Sequence, residues 1–99
     1  MTVLSTDEVD RRLASLPGWS RTGSAIARQF TFAGFPEAVA FVGRLVPGAE
    51  AADHHPDVTI NYRSVTVTYS THSDGGITEK DLAGAALAQG EAREAGEQR

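Results

Sequence analysis

The chain has 99 residues, 40% of them hydrophobic and 22% charged; that is the length of one domain with an ordinary globular composition. It has no cysteine, which removes a disulfide framework, thiolate metal sites and a cysteine nucleophile, and fits the reducing cytoplasm expected as its location. The net charge is −4, and the basic residues are one lysine, Lys80, and arginines scattered along the chain, without the basic stripe that a nucleic-acid partner demands. The opening MTVLSTDEVDRRL lacks a basic region followed by an apolar run, so no signal peptide is expected. No apolar run approaches the ~20 residues that span a bilayer, so neither a membrane nor a nucleic acid is an expected partner. A core this small stabilises only modestly, which makes self-association a natural supplement.

Ser5 to Leu16 reads as a first helix: Ser5 and Glu8 fit a capping box, Leu4 and Val9 a hydrophobic staple, and Val9, Leu13 and Leu16 one buried stripe. Pro17-Gly18 ends it. Trp19 to Phe32 reads as two short strands around a turn at Thr22-Gly23-Ser24. Ile26, Arg28, Phe30 and Phe32 share one side of the second strand, with Arg28 breaking the apolar pattern. A second helix starts at Pro36, a good first-turn residue, and presents Ala38, Val39, Phe41, Val42, Leu45 and Val46. Pro47-Gly48 is expected to end or kink it, with a short turn resuming over Glu50 to Asp53.

Val58, Ile60 and Tyr62, then Val65, Val67 and Tyr69, alternate with polar residues. Two period-2 runs flanking Arg63-Ser64 predict a β-hairpin. Thr78 and Asp81 resemble a second capping box, opening a last helix through Leu82, Ala85 and Leu87 with Gly90 as its C-cap. Residues 90–99 are polar and predicted to be a frayed, flexible tail after a single domain over residues 1–89. The order α-β-β-α-β-β-α predicts an α+β fold: one four-stranded antiparallel sheet with three helices packed on one face. Thr59, Asn61, Thr66 and Thr68 suit the opposite face, open to solvent or a partner.

All three histidines fall between positions 54 and 72. With Arg63-Ser64 as the loop, Val58 faces Tyr69 and His55 faces His72; a loop one residue different brings His54 or Pro56 opposite His72. Two of these three registers create a histidine pair, about 5 Å apart at Cβ. Histidine titrates near neutral pH, so two converging on one pocket can act as general acid and general base. Chance clustering is the plain alternative. A metal site is another: Asp53, His54, His55 and His72 carry suitable ligand atoms, but adjacent histidines on an extended segment point to opposite sides. Gly75-Gly76 is more simply a turn than a phosphate loop.

Between residues 50 and 81 the chain closely resembles the pterin-4a-carbinolamine dehydratases. The family pattern is an acidic residue, then His-His-Pro, an aromatic, a third His and an Asp, supplied here by Glu50, His54-His55-Pro56, Tyr62, His72 and Asp81. Leu16-Pro17-Gly18-Trp19, Phe30-Thr31-Phe32, Phe41-Val42, Ser70-Thr71-His72 and Gly75-Gly76-Ile77-Thr78 extend the resemblance over about residues 4–88. Two departures are Val58, where relatives often carry an aromatic, and Pro47-Gly48 inside a helix that usually runs through.

The resemblance implies the same four-stranded sheet with three helices, a homodimer or homotetramer, and no metal or organic cofactor. It implies removal of water from a 4a-hydroxytetrahydropterin to give the quinonoid dihydropterin, within tetrahydrobiopterin recycling. By resemblance His54 and His72 are the acid–base pair and His55 binds or orients the pterin. Asp53, Ser70, Thr71 and Ser73 flank the substrate, and Glu50 and Asp81 stand behind the site. Which histidine gives the proton stays open, because coupled histidines share their titration. The alternative is a non-catalytic pterin-binding or dimerisation scaffold of the same fold, against which the intact histidine trio argues.

Overall fold

A computed structural model describes residues 2–98; Met1 and Arg99, the outer ends of the expected domain and tail, lie outside the described residues. The elements are α1 (Thr6–Leu13), β1 (Ser20–Thr22), β2 (Ala25–Thr31), α2 (Phe35–Ala52), β3 (Asp57–Asn61), β4 (Ser64–Tyr69), a 3-10 turn (His72–Asp74) and α3 (Glu79–Glu94). The four strands form one antiparallel sheet in the order β1-β2-β4-β3. This is the expected α+β arrangement.

Alternation sets the buried face. Val65, Val67 and Tyr69 of β4 and Ile26 and Phe30 of β2 are buried, while Thr66 and Thr68 between them are only half-buried. Val9 from α1, Ala38, Phe41 and Leu45 from α2, and Leu82, Ala85, Ala88 and Ala92 from α3 cover that face. Phe41 is central, with its ring centroid 5.0 Å from Phe30 and 4.9 Å from Phe32. Arg28 breaks the pattern of β2 without breaking the strand. Its guanidinium lies 4.3 Å from the Phe30 centroid and bonds Gln89 and Glu97, so the charge is paired where the core meets the surface.

Several local expectations need correction. Regular α1 stops at Leu13, and the chain reaches Leu16 through i→i+3 bonds such as Leu16 N–H to Leu13 C=O at 3.0 Å. Only half of its capping box forms: Ser5 Oγ accepts from Glu8 N–H at 3.1 Å, but the Glu8 carboxylate pairs with Arg11 and Arg12 instead. Pro47 does not end α2, which continues to Ala52. Pro47 and Gly43 are both exposed, so the carbonyl that loses its helical partner is open to water. The neighbouring Gly48 is where α2 meets α3: a Cβ there would lie 2.3 Å from a Leu87 methyl.

Gly90 likewise lies inside its helix. The α3 helix continues to Glu94, and Ala92 is fully buried. The segment beyond is tied to the sheet by Gln98 N–H to Thr31 C=O at 2.8 Å.

The β3–β4 register also differs. Asn61 pairs with Ser64 and Val58 with Val67, so the loop is Tyr62-Arg63. Tyr62, at φ 56°, takes the left-handed backbone that tight hairpin loops need. The shift relative to the expected register is two residues, which keeps every side chain on its face but breaks the expected His55–His72 opposition. Pairing of β3 with β4 ends at Asp57–Thr68, before any histidine.

Replacing Phe41 leaves a large void against the rings of Phe30 and Phe32. Phe41→Ala is expected to cost about 3–5 kcal/mol, read as a lowered urea midpoint at unchanged slope.

Candidate active site

The left-handed Asp53 (φ 49°) caps α2 and turns the chain sharply. His54 N–H then reaches back to Ala49 C=O at 3.1 Å, which fixes where the His54 side chain emerges. That side chain is 11% exposed, and its Nε2 lies 2.6 Å from Oδ1 of Asp81. The imidazole stacks against Tyr69 at 6.0 Å between centroids and 20° between planes.

Asp81 is fully buried, and donors surround it. Its Oδ2 accepts from Thr71 Oγ1 at 2.8 Å and from Thr78 N–H at 2.9 Å. Because the Thr71 hydrogen goes to the carboxylate, the 2.9 Å contact between the hydroxyls is Thr78 donating to Thr71. Thr78 Oγ1 also accepts from Lys80 N–H, completing the expected capping box. One carboxylate thus joins the start of α3, the segment leading to His72, and His54.

The other site residues separate. Adjacent His54 and His55 point to different partners, as an extended segment requires. His55 Nε2 meets Glu50 Oε2 at 2.5 Å in an exposed pair beside a shallow apolar groove lined by Val42, Val46 and Val58. His72 opens the 3-10 turn and is exposed, as is Ser73 beside it. Thr71 couples this turn to Asp81, while the Ser70 hydroxyl donates to Ser24 C=O at 2.7 Å on the β1–β2 turn. Asp53 is exposed at its cap. Among the described residues, no group of three or more His, Cys, Asp or Glu is placed to hold a metal ion.

His54 lines a cleft of about 290 Å³ between α2 and α3, with Ala49, Ala52, Tyr69, Lys80 and Gly84. The walls are largely apolar, and Gly84 brings α3 so near that a Cβ there would meet the Tyr69 ring at 2.5 Å. A larger cavity of about 630 Å³, bordered by Arg28, Arg93 and Glu97, contains none of the histidines. Tyr69 and Lys80 were not singled out in the sequence. Only the position of Tyr69, three residues before His72 on the buried face of its strand, hinted at the ring beneath His54.

Fold and site together define an α+β domain whose histidine is anchored on a buried carboxylate beside a histidine-bearing turn. The family model described as pterin 4 alpha carbinolamine dehydratase matches residues 2–90. A relative from Mycobacteroides abscessus, named as a candidate pterin-4-alpha-carbinolamine dehydratase, is 48% identical over 83 residues, covering 84% of this chain and 88% of its own. One from a Picosynechococcus species, named in the same way, is 49% identical over 81 residues, covering 82% and 88%. The crystal structure of a transcriptional coactivator/pterin dehydratase from Brucella melitensis superposes with a TM-score of 0.88 at 35% identity, covering 92% of this chain and 99% of that one. A pterin dehydratase-like protein identified as a RuBisCO assembly factor shares the fold at a TM-score of 0.60 and 21% identity, over 75% of this chain and 86% of that one. The chain belongs to the pterin-4-alpha-carbinolamine dehydratase family.

Burial first, and then the Asp81 charge, push the Tyr69 phenol up to about 12 from 10.0. The fold therefore favours the neutral phenol. Its contribution is whole below pH 10.0 and is lost as pH rises towards about 12. The expected loss is about 2–3 kcal/mol. Urea midpoints measured across this interval should fall less steeply for Tyr69→Phe, which cannot ionise.

Proposed function

We propose that this protein dehydrates 4a-hydroxytetrahydropterins to quinonoid dihydropterins, with His54 and His72 exchanging the protons, in the recycling of tetrahydrobiopterin in a reducing cytoplasm. The observation that carries this reading is His54, held on buried Asp81 while Thr71, bonded to the same carboxylate, leads directly into His72. In the reaction the C4a–oxygen bond breaks as one proton reaches the departing hydroxyl, and a ring N–H gives up another, so water and the quinonoid ring form together. One protonated and one neutral imidazole suffice for both transfers near neutral pH. We read His55, Asp53, Thr71, Ser70 and Ser73 as the residues that flank the substrate, with the Ser70 and Thr71 hydroxyls already engaged by the protein. The cleft beside His54 offers apolar walls to a flat heterocycle. No helix among the described residues is long and apolar enough to cross a membrane.

The name of the Brucella relative also includes a coactivator role. Retention of His54, His55 and His72 favours catalysis here, since a pure scaffold has no use for the trio.

Dehydration is measured on substrate generated in situ by a hydroxylase and followed by absorbance. His54→Ala and His72→Ala are each expected to lower kcat by roughly 10²–10⁴-fold. A double variant as fast as wild type would falsify the acid–base assignment.

The protein is further read as a homodimer or homotetramer. The edge strand β3 is exposed along its whole length, and Val58 and Ile60 on it, with Val39 and Val46 of α2, leave apolar surface open. Sedimentation at micromolar concentration should give two or four times the chain mass; a single monomer boundary contradicts this.

A further inference from the structure

We propose that Asp81 is a positioning residue that fixes the tautomer of His54: Nε2 carries the hydrogen, and Nδ1 is the atom that trades a proton with the pterin. The inference rests on the dehydratase reading above and specifies which atom of that site works.

The two oxygens of Asp81 divide their tasks. Capping α3 requires only Oδ2, which takes the Thr78 N–H at 2.9 Å. Nothing in that role turns Oδ1 towards His54, yet it lies 2.6 Å from Nε2. A hydrogen must sit between these two atoms, and its owner follows from the other bonds. Oδ2 already accepts from the Thr71 hydroxyl and the Thr78 amide, as the oxygen of a carboxylate does. An ionised Asp81 can only accept, so Nε2 donates. The second nitrogen, Nδ1, is then the one left to exchange protons.

The ring is also held against rotation. Tyr69 stacks on one side of the imidazole, and Gly84 lets α3 press on Tyr69. The charged and titratable groups around His54 come from two elements, Asp81 and Lys80 from α3 and Tyr69 from β4, while α2 lines the cleft with Gly48, Ala49 and Ala52. The arrangement repeats the general design in which a carboxylate behind a histidine selects the nitrogen that works.

The test is nitrogen-15 NMR of histidine-labelled wild type at mildly alkaline pH, with His54→Gln identifying the His54 signals. Hydrogen on Nε2 and a bare Nδ1 are expected; hydrogen on Nδ1 overturns the proposal whatever the activity. In Asp81→Asn the fixed tautomer should give way to a mixture, kcat should fall by about 10–100-fold with KM changed only a few-fold, and the pH profile of kcat should move. A folded Asp81→Asn with wild-type kcat and pH profile also overturns it. Loss of the α3 cap can unfold that variant, but the wild-type tautomer measurement does not depend on it. Failure of the dehydratase reading looks different: wild type does not turn over 4a-hydroxytetrahydropterin, while hydrogen on Nε2 still upholds the Asp81–His54 arrangement.

Discussion

A fully buried carboxylate is expensive unless both of its oxygens are hydrogen-bonded, and Asp81 meets that condition by drawing three separate parts of the chain together. The first turn of α3 supplies the Thr78 amide, the turn after β4 supplies the Thr71 hydroxyl, and the end of α2 supplies His54. Each donor lowers the cost of burying the charge, and the charge in turn fixes each donor. Helix start, loop conformation and histidine orientation are therefore one interaction seen from three sides. Removing any partner leaves the others under-satisfied in a low-dielectric setting, where double-mutant couplings are strongest.

Close helix packing brings those three parts within reach. Gly48 admits Leu87, and Gly84 admits Tyr69, so α2, α3 and β4 converge behind the imidazole. Pro47 sits one residue from this contact and is accommodated because its side of α2 faces water. The buried positions Ala38, Phe41, Leu45 and Ala49 run on past it along one face, and tertiary packing outweighs the missing backbone hydrogen bond.

Much of this was legible in the sequence because it followed from period and punctuation. Alternation in β2 and β4 located the buried face, and Thr78 with Asp81 announced the start of α3. What escaped were features decided by contacts distant in sequence. Whether Pro47 breaks α2 depends on the core beneath it, and whether Gly90 ends α3 depends on Ala92 finding a buried place. The hairpin register depended on a left-handed tyrosine, which local preference does not favour. The histidines were recognisable as the chemical residues, but the expected cross-strand pairing was not what related them. His54 and His72 are linked through Thr71 and Asp81, and a side chain that first reads as a helix cap gives no local sign of a second partner.

The Tyr62-Arg63 loop carries a consequence for how this domain can vary. Among the described residues its β3 strand is paired with β4 alone, while β4 is locked to β2 on its other side. Insertions at the loop are therefore absorbed by β3, and they obey parity. Adding or removing two residues slides β3 along its partner and leaves Val58 and Ile60 on the same side. A change of one residue exchanges them with Thr59 and Asn61, and places polar groups along the α2 groove. Lineages carrying this hairpin are thus free to lengthen it in pairs, and odd lengths require a compensating bulge.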